Sequence, residues 1–287
     1  MLLTLPYPEI DPVLVEIGPL AIRWYALAYI AGFLLGYQYC LHVARGIPAS
    51  WTRHPSAADF GDFLTWAVLG TILGGRLGYV LFYAPGYYLD NPLAALKVWE
   101  GGMAFHGGML GVALAILLFA RTRGRSPLAL GDLVAGAAPI GLFFGRLANF
   151  VNNELWGRPS ELPWAMVFPI PDHLEAQLPE VPRHPSQLYE AFLEGVVLFL
   201  LLLVLRRRPG IQARPGLLTG VFLAGYGSAR FLVEFVRQYD LHVGLIAETF
   251  TMGQSLSLPM ILVGAGLALW AARRAPVAAN AGGAAGR

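Results

Sequence analysis

The stretch GRLANFVNNELWG, residues 145–157, ends a long apolar run with several polar side chains. At helical spacing Arg146, Asn149 and Asn153 share one face, and Glu154 lies beside that face. A guanidinium group forms paired hydrogen bonds with phosphate oxygens, and amide and carboxylate groups can orient it. The stretch therefore predicts an anion site, and phosphate is the anion that arginine suits best.

A second polar series lies in a later apolar run. Tyr226, Arg230, Glu234 and Arg237 are separated by steps of four, four and three residues, so a helix places them on one stripe. Arg230 and Glu234 could form an ion pair that only neutralises itself, and for this pair alone that interpretation stays open. Arg146 and Arg230 together favour a shared phosphate site.

A histidine and two glycine pairs mark two further runs. His106 precedes Gly107-Gly108, and Arg76 follows Gly74-Gly75. An imidazole with a pKa of about 6.5 suits proton transfer near neutral pH, so His106 is a candidate general base, although a lone histidine is more often structural. Arg76 is a candidate substrate ligand. The glycines either expose N–H groups to an anion or let helices pack closely.

The elements that must position these residues are membrane helices. The chain is 56% hydrophobic and 13% charged with a mean hydropathy of +0.56, whereas a soluble domain has about 25% charged residues. Runs of about 20 apolar residues span a bilayer. Seven candidate spans are 20–42, 60–83, 105–120, 129–153, 187–205, 217–237 and 256–272. We expect an all-α polytopic membrane protein with about seven transmembrane helices.

Between spans four and five lies a segment rich in proline. Residues 157–186 contain seven prolines, which favours a small irregular cap over another span. The N-terminal residues lack the basic region of a signal peptide. Residues 275–287 are small and featureless, and we expect a disordered cytoplasmic tail.

Composition also excludes some partners and cofactors. The single cysteine, Cys40, excludes an internal disulfide and a cysteine metal site, and the six histidines show no metal-ligand spacing. A net charge of +2 is too small to indicate nucleic acid as a partner.

Basic residues in the loops predict the orientation. One set of loops holds eleven: Arg45, Arg53, Arg121, Arg123, Arg125, Arg206, Arg207, Arg208, Arg214, Arg273 and Arg274. The opposite set holds four: Lys97, Arg158, Arg183 and Arg237. The first set is therefore expected in the cytoplasm, with the N-terminus outside, the C-terminus inside and the 157–186 cap on the outer side.

Four arginines remain inside the predicted spans: Arg23, Arg76, Arg146 and Arg230. Charge within a membrane is costly and by default suggests function. With the predicted orientation, every polar cluster falls in the outer half of the bilayer. A ligand that brings a phosphate to this depth from the lipid phase is a phospholipid.

Several motifs resemble one family over nearly the whole chain. They are IRWYALAY (22–29), GGRLGYVLFY (74–83), FHGGMLG (105–111), GRLANFVNNELWG (145–157), RHPSQLYEA (183–191) and GYGSARFLVEFVRQYD (225–240). Together they resemble the prolipoprotein diacylglyceryl transferase family. Departures are small: Gly75 stands where Ala is common, Met109 where Leu is common, and Asn153 where Gly is common.

The resemblance implies a seven-span enzyme of the bacterial plasma membrane without metal or organic cofactor. Such enzymes move the diacylglyceryl group of phosphatidylglycerol onto the lipobox cysteine thiol in the signal peptide of a prolipoprotein. A thioether forms and glycerol phosphate leaves. Residues 1–274 are then one transmembrane catalytic domain. The family's functional positions correspond to Tyr25, His106, Arg146, Asn149, Glu154, Gly157, Tyr226, Arg230 and Glu234.

This reaction assigns hypothetical roles. Arg146 and Arg230 hold the phosphate as it gains charge, and their positive field favours the thiolate. His106 acts as the base, with Glu154 or a purely electrostatic effect as alternatives. Asn149 and Glu154 orient Arg146 or the glycerol hydroxyls.

Two other classes also place arginine in spans. An anion transporter predicts polar residues along the whole depth, whereas the inner halves of these spans are apolar. A non-catalytic lipid-binding or scaffold protein would tolerate the loss of His106, whereas an enzyme that uses it as a base would not.

Overall fold

The computed structural model describes residues 5–8, 10–18, 20–171, 178–238 and 250–277, and helices form most of it. The α-helices are α1 (Trp24–Arg45), α2 (Ala57–Phe82), α3 (Pro85–Asp90), α4 (Phe105–Thr122), α5 (Pro127–Val151), α6 (Ser186–Glu190), α7 (Leu198–Arg206), α8 (Pro209–Gln212), α9 (Leu217–Val233) and α10 (Met252–Arg273). Short 3₁₀ turns cover Pro92–Leu96 and Val98–Glu100, and a π-helical segment covers Ala191–Val197.

Every predicted span overlaps a helix. Among the described residues, five helical stretches are long and apolar enough to cross a membrane: Trp24–Arg45, Ala57–Phe82, Pro127–Val151, Ser186–Arg206 and Met252–Arg273. His106–Thr122 and Leu217–Val233 are shorter apolar helices. Large apolar side chains on the outside of these helices, such as Leu73, Leu77 and Leu262, are more than half exposed, as lipid-facing residues are. The chain is therefore a mostly helical, polytopic membrane protein.

The first predicted span begins too early. Strand β2 (Val13–Ile17) pairs antiparallel with β3 (Leu20–Arg23), and α1 begins only at Trp24. Gly18, in the turn, has a φ of +59°, a left-handed conformation that glycine adopts without strain. Arg23 therefore lies in a hairpin strand opposite Val13, and its predicted place in a membrane helix is wrong.

Spans four and six end earlier than the sequence pattern predicts. Helix α5 ends at Val151, and Asn153 and Leu155 have positive φ angles of 53° and 59°. Asparagine tolerates this left-handed region better than most residues, which fits a position where glycine is common. Helix α9 ends at Val233, so Glu234 is its C-cap. Asn153, predicted within span four, therefore lies just beyond α5, and Glu234, predicted within span six, lies at the end of α9.

Short strands lie in the proline-rich segment predicted as a cap. Strand β4 (Met166–Val167) pairs parallel with β1 (Leu5–Pro6) and antiparallel with β5 (Pro182–Arg183). The buried side chains beneath them are Tyr7, Trp156, Phe168 and Leu178. Residues 172–177 lie outside the described part of the chain.

The chain divides into two compact units, each considered as far as its residues are described. The first comprises Met1–Tyr39 and Ala135–Ala275, and the second comprises Cys40–Val134 and Pro276–Arg287. The single catalytic domain over 1–274 stays a prediction. The predicted disordered tail falls mainly on 278–287, outside the described residues.

Glycine sets the packing of the second unit. Helix α2 begins with a capping box, in which the Ser56 hydroxyl accepts from the Asp59 N–H at 3.1 Å. Its glycines at four-residue spacing then face α4: a Cβ on Gly74 would lie 2.9 Å from the Gly111 Cα, and one on Gly78 would lie 2.8 Å from the Gly107 Cα. Such distances are shorter than real Cβ contacts, so small residues allow this close approach. The close packing of α2 against α4 thus explains why glycine stands at positions 74 and 107.

Substitution of Gly111 should destabilise this packing. A Cβ there would lie within 2.8 Å of the Gly70 carbonyl carbon, whereas one on Gly108 of the same helix would meet Thr71 at an ordinary 3.5 Å. We expect Gly111→Ala to cost about 1–3 kcal/mol and to lower the thermal unfolding midpoint in detergent. Gly108→Ala is the matched control and should stay near wild type. Equal midpoints for the two variants would contradict the packing account.

Candidate active site

Arg146 forms ion pairs with two carboxylates of one neighbouring helical segment. From α5 its Nη1 reaches Glu190 Oε2 at 3.2 Å, and its Nη2 reaches Glu194 Oε2 at 3.2 Å. Its Nε also donates to Glu194 Oε2 at 3.3 Å. The guanidinium of Arg146 is thus held along two edges.

Arg230 shares one of those carboxylates. Its Nη1 contacts Glu190 Oε1, and its Nη2 lies 2.9 Å from Glu234 Oε2. Glu234 in turn lies 3.9 Å from Arg237 Nη1. The predicted stripe on α9 therefore does bring Arg230, Glu234 and Arg237 together, and the predicted in-helix ion pair is present as part of a larger network.

The network alternates in charge, its glutamates are buried, and its arginines are partly buried. Its order is Glu194, Arg146, Glu190, Arg230, Glu234 and Arg237. The Glu190 and Glu194 side chains are 0% exposed, while those of Arg146 and Arg230 retain 15% and 14% exposure. Removing one member of a buried ion pair costs about 3–5 kcal/mol, because the other charge is left uncompensated. Three arginines and three glutamates balance formally, so the arginines act here through directed N–H donors more than through net positive charge.

Glycine and a π-helical segment let these elements meet. A Cβ on Gly195 would lie 2.7 Å from the Phe143 Cβ, so glycine lets the Ala191–Val197 segment approach α5 one turn before Arg146. π-Helical turns are rare overall, and those that occur are often found at functional sites. At the other end a Cβ on Gly253 would lie 2.6 Å from the Glu234 carboxyl carbon. Tyr226 is 9% exposed and close enough to Arg146 and Arg230 to interact with both electrostatically.

A second polar group lies at the end of α5. Asn149, 7% exposed, donates from Nδ2 to Glu154 Oε1 at 2.7 Å, and the Glu154 N–H donates to the Asn149 carbonyl at 3.0 Å. Tyr25 lies close enough to interact with both side chains, and its hydroxyl is 3.5 Å from that of Tyr29. The turn after Val151 thus folds Glu154 back onto Asn149. That these two side chains orient Arg146 or the glycerol hydroxyls stays a prediction.

Gly157 occupies a tight position in the segment after this turn. Its N–H donates to the His184 carbonyl at 2.8 Å, and a Cβ would lie 2.6 Å from both the His184 Cβ and the Val236 carbonyl oxygen. Its carbonyl accepts from the buried Arg183 at 3.3 Å, and Arg183 also covers the Trp156 ring at 4.8 Å. The close approach of the chain around position 157 therefore explains why the residue there is glycine.

An apolar groove of about 400 Å³ lies beside the charged network. It is lined by Leu162, Trp164, His184, Tyr189, Leu193, Leu232, Val233 and Val236. The Trp164 indole donates to the Tyr189 hydroxyl at 2.7 Å, and that hydroxyl lies 3.3 Å from His184 Nδ1. Burial lowers the pKa of His184, which favours the neutral ring. Leu193 and Val233 directly precede Glu194 and Glu234, so the groove and the network share the same elements.

In the second unit, backbone carbonyls accept hydrogen bonds from the guanidinium of Arg76. Its guanidinium donates to the carbonyls of Ala94, Ala95, Lys97, Gly101 and Gly102. An arginine has five N–H donors, and five carbonyls surround this one. Arg76 is 5% exposed and also lies over the Tyr88 ring. Its contacts are those of a residue that holds the loop before α4.

His106 lies in the first turn of α4, directly after that loop. It is exposed within its own unit. The loop is tied to α2 by the Ala104 N–H, which donates to the Gly75 carbonyl at 2.9 Å. Its predicted partnership with Arg146 and Arg230 of the first unit stays a prediction.

Glu190 and Glu194 were missed at the sequence level. They lie four residues apart at the start of span five, and Glu190 belongs to the RHPSQLYEA motif. The signal was available: buried arginines need counter-ions, and two carboxylates at helical spacing in an apolar run can supply them.

Metal ligation is a poor description of these carboxylates. Among the described residues, no three His, Cys, Asp or Glu side chains are grouped as a metal site. Glu190, Glu194 and Glu234 each contact an arginine instead. The site is therefore one of guanidinium and carboxylate chemistry.

Fold and site together define a polytopic membrane protein with a buried arginine–glutamate network, and comparison with known proteins agrees. A protein of Azospirillum brasilense named phosphatidylglycerol–prolipoprotein diacylglyceryl transferase is 58% identical over 274 residues, covering 95% of this chain and 98% of that protein. Proteins of the same name from Rhodospirillum centenum and Paramagnetospirillum magneticum are 56% and 55% identical, covering 95% and 97% of this chain and 94% and 100% of their own lengths.

The family model of prolipoprotein diacylglyceryl transferase matches residues 12–270. The chain belongs to this family, as the sequence motifs predicted. The match includes both units as far as Trp270, so both the arginine network and the α2–α4 pair belong to the shared family region.

Replacing Arg76 should destabilise the protein strongly. Arg76→Gln leaves most of the loop carbonyls without a donor, and we expect a loss of about 3 kcal/mol and a lower unfolding midpoint in detergent. Arg123→Gln is the control, because the Arg123–Asp62 pair is about half exposed and such pairs contribute about 0–1 kcal/mol. Similar midpoints for the two variants would show that Arg76 does not anchor the loop.

Proposed function

We propose that this protein transfers the diacylglyceryl group of phosphatidylglycerol to the lipobox cysteine of prolipoproteins. Family membership over residues 12–270 supports the reaction, and the relatives' names state both the lipid and the protein substrate. The observation that carries the site is the pair of buried arginines, Arg146 and Arg230, joined by Glu190.

The lipid phosphate is proposed to bind at Arg146 and Arg230. Carboxylates contact Nη1, Nη2 and Nε of Arg146 and Nη1 and Nη2 of Arg230, and the two side chains keep 15% and 14% exposure at which a ligand can approach. Guanidinium groups suit phosphate because their N–H donors match two of its oxygens at once. Tyr226 and Glu234 support this site from α9 and its C-cap.

The reaction requires charge to move from sulfur to phosphate. A cysteine thiolate attacks the glycerol carbon that bears the phosphate, the carbon–oxygen bond breaks, and its electron pair stays on the phosphate oxygen. A thioether forms and glycerol phosphate leaves with one more negative charge than the diester had. Donors that bind the leaving phosphate more tightly as this charge develops lower the barrier, by roughly 3 kcal/mol per donor.

His106 is proposed to take the thiol proton. Glu154 is the other candidate in this role, but its hydrogen bond to Asn149 at 2.7 Å fits a carboxylate that is already held in place. We therefore assign Asn149, Glu154 and Tyr25 to the binding of the glycerol headgroup. Gly157 permits the close chain approach beside them, and Arg76 supports the loop before His106 and does not bind substrate.

The proposed membrane arrangement has seven spans within one catalytic domain, residues 1–274. The shorter helices α4 and α9 would then be spans three and six. Eleven basic loop residues assign one side to the cytoplasm, so the N-terminus, the 157–186 cap and the polar site face the outer side of the bacterial plasma membrane. A secreted precursor meets phosphatidylglycerol on that side.

A direct assay tests the function. Purified protein, phosphatidylglycerol and a lipobox peptide should give a mass gain of one diacylglyceryl group on the peptide cysteine. A peptide with serine in place of that cysteine is the control and should gain nothing. A folded protein that binds phosphatidylglycerol without modifying the peptide would be a lipid-binding protein, and one that moves anions across vesicles would be a transporter.

The role of His106 is tested by the pH dependence of transfer. If His106 is the base, the wild-type rate falls on the acidic side as the imidazole becomes protonated, and His106→Gln loses both most of the rate and this acidic limb. We expect a fall of about 10²–10⁴ in kcat, the usual contribution of a positioned base. An unchanged rate and pH profile in His106→Gln would remove His106 from that role.

A further inference from the structure

Glu190 is the only described carboxylate of the network that contacts both Arg146 and Arg230. Its Oε2 lies 3.2 Å from Arg146 Nη1, and its Oε1 contacts Arg230 Nη1. The two arginines come from α5 and α9, and Glu190 is the last residue of α6. One side chain therefore links three elements through the two groups proposed to hold the phosphate.

The other glutamates contact one of these two arginines each. Glu194 contacts Arg146, and Glu234 contacts Arg230. Each of them contacts its arginine on the side away from Glu190. Loss of either glutamate would therefore release one guanidinium group and leave the other in place. The distance between the two guanidinium groups depends on Glu190.

Burial makes this link rigid. The Glu190 side chain is 0% exposed, so water does not compete for its oxygens. The contact with Arg230 is a hydrogen bond between charged groups, and the contact with Arg146 is an ion pair at 3.2 Å. The next residue, Ala191, begins the π-helical segment, which places Glu190 at a change of helical geometry. Such changes are frequent at functional sites.

We infer that Glu190 is a positioning residue for diacylglyceryl transfer: it fixes Arg146 and Arg230 at the separation needed to bind one phosphate between them. The inference rests on the proposed function. Glu190 does not touch substrate in this account, and it acts through the two arginines. A misplaced donor pair loses the interactions made in the transition state, so the effect should appear mainly in kcat.

The test compares three variants by kinetics with phosphatidylglycerol and a lipobox peptide, per mole of folded, monodisperse protein. Glu190→Gln keeps the length but loses the charge, and we expect kcat to fall about 100-fold with a smaller change in the KM for the peptide. Glu190→Asp keeps the charge but is one methylene shorter and cannot contact both arginines, so its kcat should also fall, by about 10-fold or more. Glu194→Gln is the matched control with the same burial, and its fall should be at least several-fold smaller than that of Glu190→Gln.

The outcomes separate the two claims. Wild-type protein without transfer would reject the proposed function itself. An active wild type with Glu190→Gln no worse than Glu194→Gln would reject only the positioning role. Glu190→Asp covers the case in which Glu190→Gln does not fold, because the aspartate still neutralises the buried arginines. Wild-type kcat in Glu190→Asp would overturn the inference.

Discussion

The site depends on one constraint: an arginine in an apolar environment needs a carboxylate partner. Glu190 meets this need for Arg146 and Arg230 at once, while Glu194 and Glu234 complete each pair. The elements around it follow from this arrangement. Gly195 lets its segment approach α5, and Gly253 leaves room for the Glu234 carboxylate. In the proposed function, a phosphate ligand would meet donors that these contacts have already oriented.

Much of the fold was predictable because apolar length and helical period are strong signals. Each predicted span overlaps a helix, and the family motifs agree with the family match over residues 12–270. Helix ends were predicted less well. Apolar residues flank Arg23, and span four was predicted to run to Asn153, but the backbone at these two places forms a strand and a left-handed turn. Those conformations depend on local hydrogen bonds, and a hydropathy average over a stretch of sequence gives no information about them.

The arginines of the site and the Arg230–Glu234 pair were predicted from the sequence, whereas Glu190 and Glu194 were missed. Arg230 and Glu234 pair at the predicted spacing, whereas Glu190 approaches both arginines from another part of the chain. Such a tertiary contact has no local periodicity. Arg76 was predicted as a substrate ligand, and in the structure backbone carbonyls of residues 94–102 accept hydrogen bonds from its guanidinium. A charged residue in a predicted span needs partners. The sequence does not show whether those partners are a bound ligand or backbone carbonyls of the protein, and the structure does.

The most direct measurement is the position of the lipid phosphate in a structure of this protein determined with bound phosphatidylglycerol. The account predicts phosphate oxygens within about 3 Å of guanidinium nitrogens of both Arg146 and Arg230, with Glu190 still between the two arginines. A phosphate bound elsewhere, with both arginines in contact only with their carboxylates, would contradict it.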